Sequence, residues 1–176
     1  MKKNFIGIAT LIVAFTAMVI SMLNYMARPK SAYVDLSKVY NEFTLKKELE
    51  LQLTSVISLR QAQLDSLKLE LNALGRTYQN ETDVKRKKEL EIQYLNKREE
   101  FLLKENSFSD ENERLTVQYD QQIWKQINQY VRDFGTRNGY DYIYGAEGTG
   151  ALMYGSENEN ITEEIVGYVN KSFKGS

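Results

Sequence analysis

The chain has no cysteine and no histidine among its 176 residues. The first absence excludes disulfides, thiolate metal sites, a thiol nucleophile and a lipid anchor on an N-terminal cysteine. The second removes the commonest general base and transition-metal ligand. Proline occurs once, at Pro29, and only three of the ten glycines lie between Ser37 and Gly139. That stretch of roughly a hundred residues therefore meets no proline break along its length. Charge of one sign is lacking too: the formal net charge is −1, so the whole molecule exerts no strong pull on nucleic acid or acidic membrane. Gly145, Gly148 and Gly150 lack the Gly-x-Gly-x-x-Gly order, the following helix and the Gly-Lys-Ser/Thr of a phosphate loop. No zinc, EF-hand, kinase or nucleophile-elbow pattern is present. No catalytic residue, no metal site and no cofactor is expected, and no enzyme.

What is present begins with hydrophobicity at the N-terminus. Lys2 and Lys3 precede an uncharged run from Asn4 to Ala27 whose apolar heart is Phe5 to Leu23. As a helix those nineteen residues would span about 28 Å at 1.5 Å per residue, enough to cross a bilayer core of about 30 Å. Residues 1–27 read as an export segment. For cleavage after Ala27, bulky Tyr25 would occupy a position that favours a small residue. The expectation is an uncleaved anchor, followed by a short linker, 28–31; the alternative is a soluble chain after signal cleavage.

Two strand-like pieces bracket the long stretch, Ala32 to Leu36 ahead of it and Tyr140 to Tyr144 behind it. A polar helical segment that leaves a small sheet and returns to it cannot bury itself, so residues 37–139 are expected to project as an arm. Lys and Arg there balance Asp and Glu, 17 against 17. Ser37 is the expected N-cap of the ascending helix. Ile57, Leu64, Leu67, Leu71, Leu74 and Tyr78 then follow a three–four spacing, with Leu49, Leu53 and Val56 ahead of them and Arg60 interrupting. That is a narrow coiled-coil-like seam. The pattern lapses near 77–84, where the hairpin tip is expected. The returning helix is expected from about Val84 to Phe134, with Phe134-Gly135 and Asn138-Gly139 as stop signals. Tyr94, Phe101, Phe108 and Leu115 recur every seven residues, along one line of a supercoiled helix. Tyr94, Phe101 and Phe108 have two readings, the seam of the hairpin or contact with an unfolded client. The run Lys85-Arg86-Lys87-Lys88 beside the tip also has two: solvated surface, or contact with lipid headgroups or an acidic client.

The base is expected from 32–36 and 140–176. Tyr142 to Tyr144 and Ala151 to Tyr154 flank a glycine-rich turn and suggest a β-hairpin. With Ala32 to Leu36 this makes three strands per chain. A last helix begins near Thr162, capped by Thr162 or Asn160, and buries Ile161, Ile165, Val166, Val169 and Phe173. So small a core with exposed strand edges points to oligomerisation through Tyr33, Val34, Leu36, Ile143, Leu152 and Tyr154. The fold class is α+β, a small β base carrying a long helical hairpin.

These residues together resemble the Skp (OmpH) family of periplasmic chaperones. The resemblance runs from about Ala32 to Phe173. It rests on Tyr33 to Phe43, the long charged arm, Gly139 to Tyr144, Ala151 to Tyr154 and the helix start at Ile161 to Glu164. It implies a homotrimer whose strands form the base and whose hairpins enclose unfolded outer-membrane proteins without ATP. It implies a periplasmic location, here with tethering to the inner membrane through the N-terminal segment, and no nucleic-acid partner. Members of the family are strongly basic and usually lose their signal segment, whereas this chain is near neutral and its segment is expected to remain. The alternative is a membrane-anchored coiled-coil scaffold of the envelope.

Overall fold

A computed structural model describes residues 13–22, 28–147 and 152–175. Its elements are strand β1 (Ser31–Asp35), helix α1 (Leu36–Glu42), helix α2 (Thr44–Asn80), helix α3 (Val84–Asn138), strand β2 (Tyr142–Ala146), a single 3-10 turn at Glu157–Glu159, and helix α4 (Thr162–Lys174). Much of the expected membrane segment, residues 1–12 and 23–27, lies outside the described residues. Residues 13–22 are helical. Among the described residues no helix is long and apolar enough to cross a membrane.

β1 and β2 pair in parallel, Ser31 opposite Tyr142 through to Asp35 opposite Ala146. Parallel strands cannot be joined by a tight turn and require a crossover. Here the crossover is α1, α2 and α3 together, so the arm is an enlarged β–α–β connection. On its other flank β1 is met by Asn160 and Ile161, with the Ile161 N–H donating to the Tyr33 carbonyl at 3.0 Å. The expected three-stranded sheet is corrected: among the described residues the sheet has two strands, and Leu152 to Tyr154 form no strand, while Ala151 and the turn residues 148–150 lie outside the described residues. A short apolar run has the same local pattern whether or not a neighbouring strand is there to pair with it.

Two helix boundaries also differ from expectation. Asp35, not Ser37, caps α1, its carboxylate accepting from the Lys38 N–H at 3.0 Å. Gly135 sits inside α3, buried under Ile143, so Phe134-Gly135 does not stop the helix. The stop is Gly139, whose φ of +67° is the left-handed conformation that an L side chain resists.

The main core cluster lies at the foot of the arm, while Leu67 and Leu90 are buried farther along it. Val34 of β1, Val39 of α1, Phe43, Ile123 and Ile127 of α3, and Ile165 and Val169 of α4 are the cluster's most buried side chains. α4 turns Ile165, Val166 and Val169 inward, with Glu163 and Glu164 in its first turn and Lys171 and Lys174 in its last, matching the helix dipole. Lys30 fastens the incoming chain to the end of α3: its ammonium donates to the Asn138 carbonyl at 2.9 Å and lies 3.9 Å from the Tyr140 ring centroid.

Candidate functional site

The arm is a two-helix seam that is only half apolar. From α2, Leu49, Leu53, Val56, Leu64, Leu67, Leu71 and Leu74 turn toward α3 with Arg60 among them, all buried or half-buried. From α3 the facing positions alternate: Leu90, Tyr94, Lys97, Phe101, Lys104, Phe108, Glu111, Leu115. Tyr94, Phe101 and Phe108 are each half-buried there, Tyr94 lying over Gly75. Arg60, Glu111 and Lys97 are answered across the seam, and Lys97 also within its own helix. Arg60 pairs with Glu111 at 2.6 Å, donates to Asn112 and lies 5.4 Å from the Phe108 ring centroid; Lys97 pairs with Glu70 at 3.1 Å and Glu100 at 3.0 Å. Such polar layers lower the apolar gain but penalise a slipped register, in which Arg60 would lose its acceptors.

Because the seam is narrow, other apolar side chains are left in solvent. Leu51, Leu59 and Leu69 stand out from α2, and Ile92, Leu95 and Leu103 from α3, each at least half exposed. They are dispersed among charges along the shaft rather than gathered into one patch. At the tip, Glu81 to Asp83 form the turn, and Asp83 caps α3 through the Arg86 N–H at 2.8 Å. Arg86 pairs with Glu81 at 3.4 Å, and the Lys87 ammonium lies 5.3 Å from the Tyr78 ring centroid. Among the described residues no carboxylate pairs with exposed Lys85 or Lys88. The basic run is thus split, two cations held locally and two presented.

Where the arm meets the base, Tyr40 of α1 stacks on Trp124 of α3 at 5.1 Å, and its hydroxyl donates to the Asp120 carboxylate at 2.5 Å. Burial first, then that bond, pushes the Tyr40 phenol from its ordinary 10.0 up to about 12. The fold holds the neutral form, so this contribution is whole below pH 10 and is lost as pH rises through about 12. Tyr40→Phe is expected to lose about 1 kcal/mol at neutral pH. Its stability should then fall less steeply than that of the parent between pH 10 and 12, read from urea midpoints. Parallel decline of the two proteins would assign the alkaline loss to other groups.

With this geometry in view, the family can be decided by comparison. A family model described as outer membrane protein (OmpH-like) matches residues 30–169, which takes in the whole arm and most of the base. The chain belongs to the OmpH-like family. Curated relatives of this OmpH-like chain are chaperones. It is 23% identical over 143 residues to chaperone protein Skp of Pectobacterium atrosepticum, covering 80% of this chain and 85% of that one. Chaperone protein Skp of Yersinia enterocolitica is 22% identical over 140 residues, covering 78% and 84% respectively. Among solved structures, an OmpH-like outer membrane chaperone from Caulobacter crescentus CB15 superposes with a TM-score of 0.71 at 12% identity. That superposition covers 83% of this chain and 86% of the other, and it shows the shared fold.

The residues expected to form an oligomeric base divide sharply in this OmpH-like chain. Val34 is buried in its own protomer; Leu36 packs beneath Gly145, Tyr33 beneath Gly155 and Ile143 against Gly135. Leu152 is half-buried and Tyr154 is 85% exposed. The large apolar side chains left free at the base are Tyr142, Tyr144, Met153 and Tyr154, of which only Tyr154 was expected. Tyr142 and Tyr144 stack at 6.0 Å on one face of β2, a pairing that the alternation of a strand foretells.

Proposed function

We propose that this OmpH-like chain is an ATP-independent holdase that keeps unfolded outer-membrane proteins from aggregating between the arms of a homotrimer. The observation that carries the reading is the arm itself: helices of 37 and 55 residues hold their main core cluster at the foot and expose scattered leucines among charges. Weak, dispersed contacts of this kind sum to useful retention without a rigid site, and no one contact is strong enough to prevent release. Among the described residues β2 pairs on one side only, and this, with the exposed Tyr142, Tyr144, Met153 and Tyr154, supports assembly through the base. Lys85 and Lys88 are offered to anionic headgroups or an acidic client, and Tyr94, Phe101 and Phe108 serve first as seam. The location is the periplasm, with residues 1–27 as the tether. A pure scaffold would gain from a continuous apolar seam, and this one is interrupted by Arg60, Lys97, Lys104 and Glu111.

The test is light scattering of a urea-unfolded outer-membrane β-barrel diluted with the full chain held in lipid nanodiscs. Suppression saturating near one trimer per client supports the holdase. A trimer that leaves aggregation untouched would move the assignment to the envelope scaffold.

A further inference from the structure

α1 and α2 follow one another without a loop, yet they are separate helices. Phe43 between them has φ −69° and ψ 126°, which is extended backbone, and it supplies no side-chain cap for α2. A helix break leaves carbonyls unsatisfied on one side and N–H groups on the other. One side chain from the far end of the sequence answers both. The Asn170 amide oxygen of α4 accepts from the Thr44 N–H and from the Thr44 hydroxyl, each at 2.7 Å. Its amide nitrogen donates to the Glu42 carbonyl at 3.1 Å. The Phe43 ring is fully buried beside this clamp, edge-on to Tyr130 of α3 at 6.3 Å and to Phe173 of α4 at 5.7 Å.

We infer that Asn170 is a positioning residue that fixes the angle at which the arm leaves the base. The arm stands on two feet. α3 enters the base as one uninterrupted helix, whereas α2 is joined to α1 across the break at Phe43, and Asn170 joins the two sides of that break. With the clamp closed, bending the arm requires both helices to move together. With it open, α2 is held at its foot by the packing of Leu45 and Leu49 without a polar fastening, and the arm leans more on α3. The leverage is large: a helix of 37 residues is about 55 Å long, so a tilt of about 10° at its foot moves its far end by about 10 Å. The terminal helix therefore sets the span between arms. The use of that span for a client rests on the holdase reading; the clamp itself does not.

The chain has no native cysteine, so two introduced ones report without background. Ser66→Cys on the exposed shaft and Glu159→Cys on the base are spin-labelled in the full chain and diluted with unlabelled protomers, and the distance distribution is measured with no client present. Asn170→Leu is expected to widen that distribution about twofold. It should also speed amide exchange in the first turn of α2 at least tenfold, leaving exchange at Ile127 unchanged. Asn170→Asp keeps the acceptor for Thr44 but has no N–H to give the Glu42 carbonyl, so only one side of the break stays fastened, and its distribution is expected to be wider than that of the parent; it decides the matter alone if Asn170→Leu does not fold. An unchanged width in Asn170→Leu, or in Asn170→Asp where that is the variant that folds, overturns the assignment. Because no client enters the measurement, failure of the holdase reading leaves its outcome untouched.

Discussion

Phe43→Ala is expected to cost about 3–5 kcal/mol of unfolding free energy, because a fully buried ring is removed from a core that cannot close around the gap. Phe43 lies where α1, α2, α3 and α4 converge, and the surrounding rings of Tyr130 and Phe173 are anchored to different helices. A loss of this size consumes a large share of the stability of an ordinary domain. The reporter is already in the sequence: Trp124, the only tryptophan, stacks on Tyr40 at the same shoulder. Its fluorescence during urea titration, at one fixed protomer concentration, should show a midpoint far below that of the parent. A loss under about 1 kcal/mol would mean that the shoulder repacks freely and that Phe43 is not its keystone.

The parts of this molecule legible in its sequence are those specified locally. The long helices announce themselves through missing prolines and a three–four apolar spacing, and the α+β class follows from the strand-like pieces on either side. What escaped depends on partners distant in the chain. The break at Phe43 is invisible locally, since Leu36 to Leu74 carries no proline or glycine. It persists because the ring is worth more in the core and because Asn170, 126 residues beyond Thr44, satisfies the opened backbone. Parallel pairing of β1 with β2 is likewise a long-range choice, and nothing within Tyr142 to Ala146 states which strand it will meet. The base residues are a related case. Apolar character marked Val34, Leu36 and Ile143 for burial without saying whether their own protomer or a neighbour would bury them. The polar half of the seam needed the facing helix to be seen, since Lys97 and Glu111 look like ordinary surface charges until Glu70 and Arg60 are placed opposite them.

Exchanging Met153 and Tyr154 together for glutamate is expected to reduce the proposed trimer to single chains while each chain stays folded. Both side chains are almost wholly in solvent, 84% and 85% exposed, and neither takes part in the core at the foot of the arm. Their removal should therefore leave Trp124 fluorescence and the urea midpoint of the dissociated chain intact. Their exposure beside a sheet that has two strands among the described residues is the difficulty that assembly would solve, because so short a sheet is marginal by itself and an unpaired edge invites a neighbouring chain. Burying a side chain of this size against a neighbour contributes about 1.5–3 kcal/mol. Threefold symmetry repeats that gain at every interface, and glutamate replaces it with a charge that must be desolvated. Light scattering should register the mass of one chain, and aggregation of an unfolded outer-membrane barrel should resume, since scattered leucines on a single arm surround nothing. A double variant that stays trimeric would shift the interface to the Tyr142–Tyr144 face of β2. A monomer that still suppresses aggregation would show that one arm suffices and that the enclosed cavity is unnecessary.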